Sequence, residues 1–187
     1  MHSRGEAEEG ATGDPTMLVL LAQSGDRGAL EELLREAYGP LRRYVIYLAG
    51  AELADDILQE TSLQIFRKLR HLREPSVFRA WTFRIASRIA FAQMKSAQRW
   101  SPLDDAPVER LTTFDAGMGE PADEGFLELI ERVSPASRAV LLLRYQQDLS
   151  LEEAAAILEI PVGTAKSRLH YGVTMLRKYL TEERKPA

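Results

Sequence analysis

Leu149–Leu180, LSLEEAAAILEIPVGTAKSRLHYGVTMLRKYL, reads as a short helix, a tight turn and a longer helix. Ser150 is placed to cap the first helix through its hydroxyl. Glu153, three residues on, can reach back to the amide of the cap. That helix runs to Leu158. Pro161 cannot continue it and pre-sets φ for the start of the next. In the second helix Ala165, Leu169, Val173, Leu176 and Leu180 recur at steps of three and four, which predicts a core stripe. Thr164, Ser167, Arg168, Tyr171 and Thr174 fall on the opposite side. One face therefore packs on the partner helix, and the other offers hydroxyls, a guanidinium and an aromatic ring. That is the pattern of a helix-turn-helix recognition helix, whose exposed side chains reach base edges in the major groove. The periodicity alone fits a plain helical hairpin with a solvated face equally well. Gly163 and Thr164 decide for DNA, because they keep the helix entrance small where close approach is needed.

Composition bounds the rest. A chain of 187 residues allows one or two small domains, and 45% hydrophobic residues suffice for packed cores. Cysteine is absent, so there is no disulfide framework, zinc knuckle or thiol chemistry. The three histidines, His2, His71 and His170, lie too far apart in sequence to suggest a metal site. No apolar run reaches membrane-spanning length, and the N-terminus MHSRGEAEEGATGDP is polar and acidic, unlike a signal peptide. These features predict a cytoplasmic protein without membrane insertion.

The net charge of −4 hides a segregation. From Arg67 to Arg99 stand nine Lys and Arg (Arg67, Lys68, Arg70, Arg73, Arg79, Arg84, Arg88, Lys95, Arg99) against one acid, Glu74. From Asp104 to Glu131 stand nine acids (Asp104, Asp105, Glu109, Asp115, Glu120, Asp123, Glu124, Glu128, Glu131) against Arg110 alone. The basic block draws polyanions by counterion release. The acidic block coincides with Pro102, Pro107, Gly117, Gly119 and Pro121, a composition that reads as a flexible linker. The expected fold is all-α: a disordered tail (1–14), a helical domain (15–100), an acidic linker (101–124) and a helix-turn-helix domain (125–182).

In the first domain, Leu18, Leu20, Leu21, Leu30, Leu33 and Leu34 supply early apolar faces, with breaks expected at Ser24-Gly25 and at Gly39-Pro40. The next helix carries Leu53, Ile57, Leu58, Thr61, Ile65, Phe66 and Leu69 on one side. Glu52, Asp55 and Asp56 in its first turns suit the helix dipole, and Gln59 and Glu60 follow on the polar side. A loop, His71–Ser76, leads into a helix from about Val77 to Gln98, with Phe78, Ile85, Ile89 and Ala92 as its buried face. Arg84, Arg88, Lys95 and Arg99 form a narrow stripe on that helix, with Phe91 inside it and Trp81 at its border. Cations interleaved with aromatics suit a single nucleic-acid strand, tracking phosphate and stacking on bases. Simple packing is the other reading of both rings, and the favoured one for Trp81.

These segments together resemble the small extracytoplasmic-function (ECF) sigma factors of bacteria, over about Met17–Leu180. Ala54–Phe66, ADDILQETSLQIF, is similar to the family's core-polymerase-binding helix, with its D-x-x-Q-E pattern at Asp56, Gln59 and Glu60. Phe78–Ala86, FRAWTFRIA, resembles the helix that engages the minus-ten element, and PVGTAKSRL at Pro161–Leu169 resembles the one for the minus-thirty-five element. The resemblance implies an alternative sigma factor that binds core RNA polymerase, directs it to promoters and promotes melting. It implies Asp56, Gln59 and Glu60 as core-binding residues. Arg73, Arg84, Arg88, Phe91 and Lys95 would meet minus-ten DNA, and the loop Leu72–Val77 would receive a flipped base. Thr164, Lys166, Ser167, Arg168, His170 and Tyr171 would meet minus-thirty-five DNA. Promoter DNA, core polymerase and an anti-sigma factor are the implied partners; no cofactor, metal or catalytic residue is implied.

Arg88 and Ala92 stand where many members carry Asn and Asp, and Tyr171 and Gly172 stand where many carry Arg and Ala. A stand-alone helix-turn-helix regulator with a sensing or dimerisation domain is the alternative reading. It has no need of the D-x-x-Q-E helix or of the basic, aromatic-bearing one. An enzyme lacks a Gly-rich phosphate loop or a nucleophile–base constellation.

Overall fold

The computed structural model describes residues 14–99 and 129–183. Every regular element among them is helical, as the sequence predicts. In the first unit α1 (Pro15–Gln23), α2 (Arg27–Ala49), α3 (Ala51–Lys68) and α4 (Phe78–Ser96) follow one another, with two 3-10 turns, Leu69–His71 and Pro75–Val77, before α4. In the second unit a helical piece at 129–131 precedes α5 (Pro135–Leu141), which runs on as a π-helical turn, Leu142–Gln146. Then come α6 (Leu151–Leu158) and α7 (Val162–Glu183). The expected tail and acidic linker lie outside the described residues, apart from Asp14.

Local chemistry sets most boundaries. Asp14 and Asp26 cap α1 and α2, accepting from the amides of Thr16 (3.0 Å) and Ala29 (3.1 Å). The break at Ser24-Gly25 is present, with Gly25 at φ +102°. The break expected at Gly39-Pro40 is not: α2 passes through Pro40 without interruption. Proline there removes one helical hydrogen bond. Burial of Leu33, Leu41, Tyr44, Val45 and Leu48 along the same helix outweighs that loss. The chain turns instead at Gly50, φ +88°, which ends α2 and opens α3.

Three apolar clusters hold the described chain. The largest joins α1–α4, centred on Tyr44, Leu48, Ile57, Ile65 and Phe83, to residues of the second unit, including Leu142, Leu143, Leu149, Ala154 and Ile157. Inside it the Tyr44 and Phe83 rings meet edge to face at 5.3 Å, and Tyr44 Oη is 2.7 Å from Ser87 Oγ. A second cluster, Leu129, Val133, Leu141, Val173 and Leu176, closes α5 on α7. A third, Val140, Ala155 and Ala165, closes the helix-turn-helix. The two units thus share one core and do not stand apart.

Three expected faces are adjusted. On α4 the buried residues are Phe78, Thr82, Phe83, Ala86, Ser87, Ala90 and Met94; Ile85 and Ile89 are half-buried and Ala92 is exposed. The face is rotated toward small residues, which let α4 lie close to its neighbours. On α3 Phe66 points outward, 59% exposed. On α7 Leu180 is 46% exposed, because the cluster that receives Val173 and Leu176 ends before it.

Candidate nucleic-acid and polymerase interfaces

α3 buries Ala54, Ile57, Leu58, Thr61 and Ile65, which turns Asp56 and Gln59 to solvent. Glu60 is half-buried and accepts from Gln64 Nε2 at 2.8 Å. Asp56 and Gln59 border a shallow depression of about 400 Å³ that also takes in Tyr38 and Ser62. Leu63 and Phe66 continue the stripe of Asp56 and Gln59 at steps of four and three, and both are exposed, as is Tyr38. The surface therefore combines a carboxylate and an amide with large exposed apolar side chains, among them the aromatic type enriched at protein interfaces. Sequence reading missed Tyr38, Leu63 and Phe66. The signal was the helical spacing from Asp56 through Gln59 and Leu63 to Phe66.

α4 carries the basic stripe, but the residues differ in state. Arg73, in the turn before α4, and Lys95 are exposed. Arg84 is half-buried, with its Nε shielded from water and lacking a hydrogen-bond partner. Arg88 is engaged across the boundary between the units. Its Nε donates to Glu159 Oε2 at 2.9 Å and its Nη2 to Oε1 at 2.6 Å. Arg99 pairs with Glu52 on α3 and so leaves the stripe. Phe91 and Trp81 are half-buried against the main core, and Trp81 tilts on Phe78 at 6.2 Å, so the packing reading holds for Trp81.

The helix-turn-helix is built as its sequence dictates. The capping box is complete: Glu153 N donates to Ser150 Oγ (3.1 Å) and Ser150 N to Glu153 Oε2 (2.7 Å). The bond from the Ser150 amide is the main cause that lowers the Glu153 carboxyl from its ordinary value. α6 ends on Glu159 in the left-handed conformation, φ +56°, where glycine is usual and another L-residue costs roughly 1–2 kcal/mol. Pro161 is the residue before α7, its carbonyl accepting from Ala165 N at 3.0 Å.

Along α7, Lys166 is exposed, and Thr164, Ser167, Arg168, His170 and Tyr171 are half-buried. Ser167 donates back to Gly163 O (3.0 Å) and Thr174 to His170 O (2.9 Å), so these hydroxyls still offer lone pairs outward. Among the described residues nothing stands within 4 Å of a Cβ built on Gly163, so packing among them does not require its small size. Gly172 is the opposite case. A Cβ there would lie 2.6 Å from Leu141 Cδ1, so any larger residue must displace the Leu141 side chain where α5 packs on α7.

Arg138 is a functional side chain that no sequence pattern pointed to. It is buried on α5 yet reaches the end of α2, donating to Leu48 O at 2.9 Å and more weakly to Tyr47 O at 3.5 Å. It also donates to Glu131 O (2.5 Å) and Val133 O (3.0 Å). Two of these carbonyls belong to the last turn of α2, where a helix lacks internal donors and its dipole favours a cation. Burial lowers the guanidinium to about 10, partly offset by Glu131, which leaves it charged at neutral pH. Arg79 Nη2 adds a bond to Gln147 O at 2.6 Å.

Among the described residues no cluster of His, Cys, Asp and Glu could hold a metal ion, and no helix is long and apolar enough to cross a membrane.

Comparison with known proteins falls on the same two units. The family model for sigma-70 region 2 matches residues 29–100, and that for sigma-70 region 4 matches residues 123–176. The chain is 27% identical to the ECF RNA polymerase sigma factor SigE of Mycolicibacterium smegmatis over 184 residues, covering 90% of this chain and 69% of that protein. It is 28% identical to the ECF RNA polymerase sigma-E factor of Haemophilus influenzae over 169 residues, covering 81% and 87%. Among solved structures it is similar to the sigma factor RpoE of Bartonella quintana, in complex with the anti-sigma factor NepR. There the TM-score is 0.65 and the identity 25%, with 82% of this chain and 98% of that chain covered. CnrH, solved with the cytosolic domain of CnrY, shares the fold at a TM-score of 0.65 and 21% identity, covering 90% and 97%.

Proposed function

The chain belongs to the ECF sigma factors of the sigma-70 family, and on that premise we propose how its surfaces divide the work of an alternative sigma factor that directs RNA polymerase to promoters. α3 binds core polymerase through Asp56, Gln59 and Glu60. α4 and the turn before it take the minus-ten element, with Arg73, Arg84, Arg88 and Lys95 on phosphate and Phe91 beside the bases. The cost of unstacking is offset by capture of a base near Leu72–Val77 and by these backbone contacts. α7 enters the major groove of the minus-thirty-five element. There Lys166 positions on phosphate, and Ser167, Arg168 and Tyr171 read bases, with Thr164 and His170 alongside. The units are residues 15–100 and 125–182, joined by the linker 101–124.

The factor contributes recognition and strand capture, and the chemistry belongs to the polymerase. It works in the cytoplasm, and an anti-sigma factor is its third partner, a reading supported by the likeness to the NepR-bound protein. The observation that carries the proposal is that both sigma-70 regions match in order, one on each helical unit.

The test is reconstitution with core polymerase. Gln59→Ala with Glu60→Lys should weaken competition for core by about fivefold or more, as loss of a central contact does. Stability should stay within about 0.5 kcal/mol, since neither side chain belongs to the buried core. Wild-type competition by the variant rejects α3 as the core-binding face.

A further inference from the structure

The C-terminal unit sits where the proposed function puts DNA. α6 lies along α4, and the residue that ends α6 takes hold of Arg88. Glu159 grips that guanidinium through both carboxylate oxygens, a geometry that a backbone phosphate reproduces, because both anions match the fork of the arginine. The position is costly for glutamate: its backbone is left-handed, where glycine would serve the turn better. A non-glycine held in this conformation points to a role for its side chain, and here that side chain has one partner on the other unit.

We propose that the packed arrangement is a closed form of the free factor, in which Glu159 occupies Arg88 in place of a minus-ten phosphate, so that the C-terminal unit and the opened DNA strand compete for one face of α4.

Three further observations fit competition. The Arg88–Glu159 pair is wet, with the side chains 65% and 47% exposed, so an incoming phosphate can exchange with the carboxylate without first opening a dry interface. Arg84 lies close enough to help keep Glu159 ionised, so two of the proposed strand-binding arginines feel the same carboxylate. Asp56 and Gln59 remain exposed in this packed form. Core polymerase can therefore engage α3 first, and DNA then finds α4 covered until the units separate. Arg138 and Arg79, bonded to backbone carbonyls across the boundary, hold the closed form, while Glu159 determines what that form excludes. The inference rests on the minus-ten role of Arg88 proposed above, and the experiment separates the two.

The chain has no cysteine, so labels introduced by Arg35→Cys and Lys178→Cys report the separation of the units in the full-length protein. The probe is a fluorescent single-stranded oligonucleotide carrying a minus-ten sequence chosen by selection with the reconstituted holoenzyme. Removing an exposed competing pair should tighten its binding to the free factor about two- to fivefold in Glu159→Gln and Glu159→Gly. Glu152→Gln, which removes an equal charge from the exposed side of α6, should not. The gain should vanish when Glu159→Gln is combined with Arg88→Ala, and oligonucleotide should lengthen the label distance in the wild type. The inference is overturned if no Glu159 variant gains, whether affinities are equal or binding is undetectable throughout. It is also overturned if bound oligonucleotide leaves the distance unchanged. If Arg88→Ala weakens the holoenzyme on promoters but Glu159→Gln gains nothing, the functional assignment stands and the competition falls. If Arg88→Ala is silent in both settings, the minus-ten assignment falls and the competition with it.

Discussion

Two ends of the same boundary hold the units together by different physics. At one end Arg138 is buried, bonded to four backbone carbonyls, and set against the end of α2. At the other, Arg88 meets Glu159 in water. Both are arginines reaching across 70 residues or more of sequence. The buried one fixes geometry, because its loss strands carbonyls that water cannot easily reach. The exposed one contributes little to stability, and on the proposal above its carboxylate partner gives way to a backbone phosphate. Adhesion and exchange are thereby assigned to separate places.

The sharpest way to break this contrast is Arg138→Ala. It leaves Leu48 O and Val133 O without their donor, and the expected loss is about 3 kcal/mol or more. A lower urea midpoint, with the units no longer unfolding together, is the signature; wild-type denaturation would mean the buried end is not the stronger one. Next in size is Gly172→Ala, which drives a methyl into Leu141 and should cost about 1–3 kcal/mol. Because this strain lies inside the second unit, the closed-form label distance should persist at temperatures where the unit is folded. A loss of closure before unfolding would show that the α5–α7 contact also sets the boundary.

Arg88→Ala should change stability by about 1 kcal/mol at most, while weakening single-strand binding and flattening its salt dependence. A stability loss matching that of Arg138→Ala would erase the distinction between the ends. The smallest effect is that of pH. The bond from Arg88 holds the Glu159 carboxyl below its ordinary value of 4.5. A carboxylate so depressed stabilises the closed form above that value and loses its contribution as pH falls through the lowered one. Arg138 stays charged throughout. Label distance should therefore be flat between pH 6 and pH 8, as read by energy transfer, and only the exposed end should loosen in acid; a transition near neutrality would implicate another group.

What could be read from the sequence was what is local. The Ser150–Glu153 box, the end of α6 at Leu158, and both ends of α4 to within two residues follow from caps and periodicity alone. Pro40 misled, because its helical penalty is local while the packing that overrides it comes from α3 and α4. Phe66 and Leu180 fit an apolar stripe but stay largely exposed among the described residues, and periodicity does not say where a partner ends. Gly172, an oddity inside a helix, is accounted for once Leu141 is seen against it. Of the candidate site, the residue types were legible and their present engagement was not. Glu159 lies 71 residues from Arg88, and no short pattern links such a pair.

The π-helical turn after α5 carries a consequence of its own. Gln147 N bonds Leu142 O at 3.0 Å, five residues back, so this turn takes in one residue more than an α-turn would. That single residue changes the phase of everything that follows. It presents the Gln147 carbonyl to Arg79 and brings its amide to 3.5 Å from the carbonyl of Pro40. The angle at which one half of the molecule meets the other is thus written as a count: five residues in a turn where four would have looked elsewhere.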